Sequence, residues 1–174
     1  INQQLSAEEL EEHEFLKTIS VYVVAKKLQD SDLYELLWVN VTNTDDFISP
    51  LFFDREAADI FHRDLKRELS NRDTILMITT LFRAREAARS IANLPANKKR
   101  ELSAPIAVSQ SDLDAARSIL LSNGLTDQQV KDRLSVPVFY TEPMLEIDTS
   151  MGSRQVFFLT KSQLDKALKN PGLA

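Results

Sequence analysis

A chain of 174 residues, 43% hydrophobic and 27% charged, has the make-up of one ordinary globular domain, or two small halves, with enough length to bury a core. Its net charge of −5 sits mostly at the start, where five glutamates and one lysine give the first seventeen residues −4. The nearly neutral remainder has no basic face for phosphates, so nucleic acid is excluded as a partner, and the absence of cysteine excludes disulfides, thiolate metal sites and cysteine nucleophiles.

Ser6-Ala7-Glu8-Glu9 is a capping-box pattern, with serine followed three residues on by glutamate, and it opens a helix to about Lys17. Only Leu10, Phe15 and Leu16 are apolar in it, so residues 1–18 read as an acidic helical arm lying on the body through one narrow edge. The chain begins at Ile1 and not at methionine, which reads as a processed or trimmed protein that has already lost any targeting segment.

Residues 19–94 form the first expected half. Ile19–Ala25 and Leu36–Val41 are rich in β-branched and aromatic residues and predict two antiparallel strands. Phe47–Phe53 predicts a third, ending at Asp54 as the cap of a helix whose Ala58, Phe61, Leu65 and Leu69 share one face. Thr74–Thr79 predicts a buried strand, and Thr80–Leu94 a helix with Ala84, Ala87, Ala88, Ile91 and Leu94 turned inward. Pro95 and Pro105 bracket a polar stretch, 95–104, that reads as a linker; its Lys98-Lys99-Arg100 run reads as a solvated loop.

The second half, 105–174, begins with a strand at Ile106–Val108 and a helix over Asp112–Leu121 that stops at Asn123-Gly124. Thr126-Asp127-Gln128-Gln129 caps a short helix to Leu134. Val136–Tyr140, Met144–Ile147 and Gln155–Leu159 predict three strands, and Ser162–Asn170 the closing helix before Pro171-Gly172.

The chain repeats itself. Leu51-Phe52-Phe53-Asp54 running into Arg55-Glu56-Ala57-Ala58 matches Phe157-Phe158-Leu159-Thr160 running into Lys161-Ser162-Gln163-Leu164, as strand, cap and helix. The expected fold is therefore α+β, with duplicated strand–helix units related by a pseudo-two-fold axis, and a mixed or antiparallel sheet with packed helices.

Catalytic equipment is sparse. The three glycines are too scattered for a phosphate-cradling loop, and no serine elbow, HExxH or calcium-loop pattern occurs. His62 follows the inward Phe61 and reads as a boundary histidine, and His13 lies among glutamates. The reading is of a non-enzyme without cofactor or metal. No apolar run nears the ~18 residues of a membrane span, so any membrane contact is peripheral at most. The phenylalanine pairs and Val136-Pro137-Val138-Phe139-Tyr140 are apolar on both strand faces, which leaves each residue as core or as the lining of a groove.

Val136-Pro137-Val138-Phe139, then Met144-Leu145, then Gln155-Val156-Phe157-Phe158 with Lys161-Ser162-Gln163-Leu164, resemble in order and spacing the C-terminal half of the Tic-twenty-two family. Leu51-Phe52-Phe53 through Ala57-Ala58, Ile75–Thr79, and Ile106 through Gly124 resemble the family's matching segments, so the similar order spans about residues 20–170. The resemblance implies a non-enzymatic, chaperone-like factor with apolar grooves on a duplicated domain, binding preproteins or outer-membrane proteins between two envelope membranes. The setting implied is the intermembrane space of a plastid (chloroplast or apicoplast), or the periplasm of a cyanobacterium. Its partners would be unfolded or precursor polypeptides, and translocon subunits. Phe139, Met144, Leu145 and Phe157 carry the closest match and are the candidate groove residues. Two rival readings stand beside it: an adaptor domain similar to SseB-like modules, and a small hydrolase uniting several of Asp30, Asp32, Asp45, Asp46 and His62.

Overall fold

The structure is a computed structural model, and it describes residues 14–28, 31–41, 44–68, 73–94, 102–150 and 152–169. The expected helix start at Ser6, His13, Asp30, Leu69, the Lys98-Lys99-Arg100 run and the Pro171-Gly172 stop lie outside the described residues. Contacts divide the chain into two units, 1–107 and 108–174.

Strand β1, Ser20–Lys27, is the axis of the first unit. Its Val-Tyr-Val-Val run favours extended backbone, and both faces are apolar because both are covered. On one side it pairs antiparallel with β6, Thr74–Thr80, through seven residue pairs from Ser20↔Thr80 to Lys26↔Thr74. On the other it meets β2, Tyr34–Leu36, at one end and β5, Leu51–Phe52, at Tyr22↔Phe52. Helix α1, Arg55–Glu68, covers one sheet face, where Leu65 and Phe61 pack with Val24, Leu37 and Leu76. Helix α2, Leu81–Ala92, covers the other through Leu81, Ala84 and Ala88 against Val21, Val23, Leu36 and Leu51. The small alanines let α2 lie close to the sheet. Asp54 Oδ1 accepts from the Ala57 amide and Thr80 accepts from Arg83, so each helix starts on the cap that its sequence supplies.

Several expectations change in this unit. The Phe47–Phe53 strand is broken into β4, Phe47–Ile48, and β5 by Ser49-Pro50, because proline has no N–H for a ladder. The Leu36–Val41 strand is likewise two pieces, β2 and β3, Val39–Asn40, with β3 and β4 pairing antiparallel in a separate three-stranded sheet. The end of the expected linker is strand, β7, Leu102–Ser103, which runs parallel to β4, and β8, Ile106–Ala107, expected as the second half's first strand, runs parallel to β5. Ile106–Ala107 thus completes the first unit's sheet. Leu94, expected inward, is exposed.

Residues 14–18 are helical. Leu16 packs on the first core cluster, Lys17 lies 5.4 Å from the Phe82 ring centre, and Phe15 is exposed.

The second unit packs α3, Gln110–Ser122, and α5, Lys161–Leu168, around Ala116, Phe139 and Leu164. Helix α4, Asp127–Arg133, begins on a capping box in which Thr126 and Gln129 bond reciprocally, and it buries Val130. Gly124, at φ 87, allows the chain to leave α3 in a left-handed conformation. Strands β9, Glu146–Thr149, and β10, Gly152–Gln155, form an antiparallel hairpin. The expected strand over Val136–Tyr140 is an extended segment with a single bridge, Phe139↔Phe158, and Phe158 lies beyond the end of β10.

One buried carboxylate ties this unit together. Asp112, in the first turn of α3, accepts from the Lys161 amide at the start of α5 at 2.7 Å and from Ser109 Oγ at 2.7 Å. It thereby satisfies an N-terminal donor of a helix 49 residues away.

The two copies of the duplicated motif share local chemistry. Thr160 caps α5 with Gln163 as Asp54 caps α1, and the residue two before each cap, Phe52 or Phe158, pairs across to another strand or segment. They differ in length, for α1 has 14 residues and α5 has 8.

Replacing Asp112 removes a buried acceptor and leaves the half-buried Lys161 amide without it. Asp112→Ala is expected to lower stability by about 1.5–3 kcal/mol, and Asp112→Asn by less, in urea unfolding followed by circular dichroism. A midpoint unchanged in Asp112→Ala would show that the carboxylate does not hold α3 to α5.

Candidate functional site

The second unit leaves an apolar cleft of about 410 Å³ between α3 and the segment 133–140. Strict alternation along that segment explains it. Pro137 and Phe139 are buried while Val136, Val138 and Tyr140 are exposed, the period of two that extended backbone imposes. Both parities are apolar, so the outward row is as greasy as the inward one. Phe139, with Ala116 and Leu164, forms the floor, and Ile119, Val136, Val138 and Tyr140 form the rim. Tyr140 meets Phe157 edge to face at 6.1 Å, which carries the apolar surface beyond the rim.

The four residues expected to line a groove therefore take different roles. Phe139, 5% exposed, packs in the core with Ala116 and Leu164 and lines the cleft from its buried floor. Phe157, 50% exposed, lies at the surface beside Tyr140, and Met144 is also exposed. Leu145 is half-buried, and its carbonyl accepts from the Val156 amide. Val136, Val138 and Tyr140, which the sequence leaves open between core and groove, take the rim, since an apolar residue at every position of Val136–Tyr140 requires one parity to face outward, whereas Ile119 on α3 was missed.

The first unit has its own cleft of about 390 Å³, where α2 diverges from β1, β2 and β6. Met77, Thr79, Ala87 and Ile91 line it, with Arg83 and Glu35 as charged groups. Elsewhere in this unit His62 Nε2 lies 3.1 Å from both the carbonyl and the hydroxyl oxygen of Thr74, as befits a boundary histidine. Asp32 pairs with Lys27 at 3.2 Å, and Asp45 is exposed. Among the described residues no three His, Asp or Glu side chains group so as to hold a metal, and no helix is long and apolar enough to cross a membrane.

These features describe an α+β protein with an apolar cleft in its second unit and with polar side chains such as Asp54, Asp112 and Thr160 engaged in helix caps and clamps. No family model and no curated protein sequence matches the chain. Its fold does match solved structures. Tic22 from Plasmodium falciparum superposes with a TM-score of 0.61 at 17% identity, covering 94% of this chain and 76% of that one. An Anabaena Tic22, described as a protein-transport protein, superposes with a TM-score of 0.57 at 18% identity, covering 95% of this chain and 76% of that one. The chain has the Tic22 fold.

Core and rim respond differently to truncation. Phe139→Ala is expected to cost about 3–5 kcal/mol in chemical unfolding, because it opens a cavity under the cleft. Phe157→Ala is expected to cost about 1 kcal/mol or less, chiefly the contact with Tyr140. Equal losses for the two would contradict their assignment to floor and rim.

Proposed function

We propose that this chain is a Tic22-like protein-transport factor that holds apolar, unfolded polypeptide without chemically changing it. The observation that carries the reading is the outward apolar row Val136, Val138 and Tyr140, continued by Phe157, on a fold shared with two Tic22 structures. A solvated protein gains nothing in stability from such a row, and contiguous exposed apolar surface is the mark of a binding site. The clients are preproteins or outer-membrane proteins crossing the space between two envelope membranes, and translocon subunits are further partners. The setting is a plastid intermembrane space or a cyanobacterial periplasm. Met144 and Phe157 serve as adaptable and aromatic contacts, Leu145 supports them from its half-buried position, and Phe139 acts from beneath as the floor. The protein is not an enzyme: capture needs neither nucleotide nor cofactor.

The test is suppression of aggregation when a urea-denatured precursor is diluted into buffer without nucleotide. The wild-type chain is expected to hold the precursor soluble near stoichiometric ratio. Val138→Ser combined with Phe157→Ser is expected to lose most of that effect while the unfolding midpoint stays nearly unchanged. Full protection by the double variant would contradict the proposed surface. A complex formed only with one folded partner, with denatured chains ignored, would favour the SseB-like adaptor reading instead. Hydrolysis of a client, abolished by replacing one acid or His62, would overturn the non-enzymatic reading.

A further inference from the structure

The rim of the second unit's cleft is also an unpaired strand edge. Phe139 and Phe158 exchange both of their main-chain bonds, each at 2.8 Å, as one hydrogen-bonded antiparallel pair. In such a ladder the neighbours of the paired residue direct their N–H and C=O groups to the opposite side. Those neighbours are Val138 and Tyr140, and among the described residues no main-chain group of either has a hydrogen-bond partner. Val138 and Tyr140 also line the cleft, across from Ile119 on α3.

We infer that Val138 and Tyr140 receive an extended polypeptide segment by strand addition, with the segment's alternate apolar side chains seated in the cleft. This rests on the proposed capture of unfolded polypeptide and specifies how the chain is held. The occupant is set by two complementarities. Free donors and acceptors spaced two residues apart match a β-strand, whereas a helix has bonded all of its own main-chain groups. A narrow apolar cleft beside that edge takes every second side chain of a strand. Main-chain bonds are indifferent to sequence and the cleft asks only for apolar side chains, so clients need share no motif beyond an apolar–polar alternation.

The probe is a synthetic ten-residue peptide of alternating valine and threonine, compared with the same peptide N-methylated at alternate residues and with a peptide of equal composition in helical periodicity. Binding is read by fluorescence anisotropy on the full chain. On the protein side, Val138→Pro removes one outward N–H that has no partner among the described residues, so its unfolding midpoint should hold, and Val138→Thr keeps that N–H in a similar shape. Each main-chain bond removed, by N-methylation or by Val138→Pro, is expected to weaken binding about three- to tenfold, with Val138→Thr nearer to wild type. Equal binding of the N-methylated peptide, or preference for the helical pattern, overturns strand addition while leaving apolar capture in place. Failure of every peptide while denatured precursor still binds overturns it as well. A dimer of the free protein that Val138→Pro dissociates would assign the edge to a second copy of this chain and overturn it too.

Discussion

A strand that is apolar on both faces must be covered on both, and the supply of helix decides whether it is. In the first unit the supply is sufficient. Strand β1 has α1 over Val24 and α2 over Val21 and Val23, so two core clusters form on opposite faces of one sheet. In the second unit the extended segment 136–140 has the same two-faced composition, but α3 and α5 pack only its inward row, around Phe139. Val136, Val138 and Tyr140 are left outside. The apolar surface of the second unit follows from that shortfall.

The unit tolerates the shortfall because other interactions fix it. Asp112 ties the start of α3 to the start of α5, and Thr126 and Thr160 close capping boxes with Gln129 and Gln163. These bonds satisfy helix ends with donors and acceptors of matched geometry, so the small core need not supply all of the stability. The rim can then be selected for what it binds. Two-way apolar character that would be redundant in a core becomes useful on a rim under the proposed function, where contact with a client would replace contact with a helix.

Much of this was legible in the sequence. The capping residues Asp54, Thr126 and Thr160 were readable because a side-chain oxygen before a helix has a local job that tertiary packing does not alter, whereas Thr80 read as helix and proved to be its cap. The helical stripes of Ala58, Leu65, Ala84 and Ala88 were readable from their spacing. Strand partnership was harder to read, because it depends on residues far apart: Leu102–Ser103 is too short to show a pattern, and Ile106–Ala107, readable as a strand, pairs with β5 of the first unit and not within the second half. Groove and core were hardest to separate. In Val136–Tyr140 every residue is apolar, so composition does not say which parity faces inward, and the large Phe139 proved to be floor while smaller Val138 took the rim. Asp112 gave no signal either, since its partner is an amide present at every helix start.

The central claim is that apolar polypeptide is held on the outward row of the second unit. Site-specific photo-crosslinking tests it most directly, with a photoreactive amino acid placed singly at Val136, Ile147, Leu33 or Ile60, all exposed in the free protein. With a bound denatured precursor, the account predicts strong adducts from Val136, weaker adducts from Ile147, and background levels from Leu33 and Ile60 in the first unit. Adducts from Leu33 or Ile60 that equal or exceed those from Val136 would contradict it.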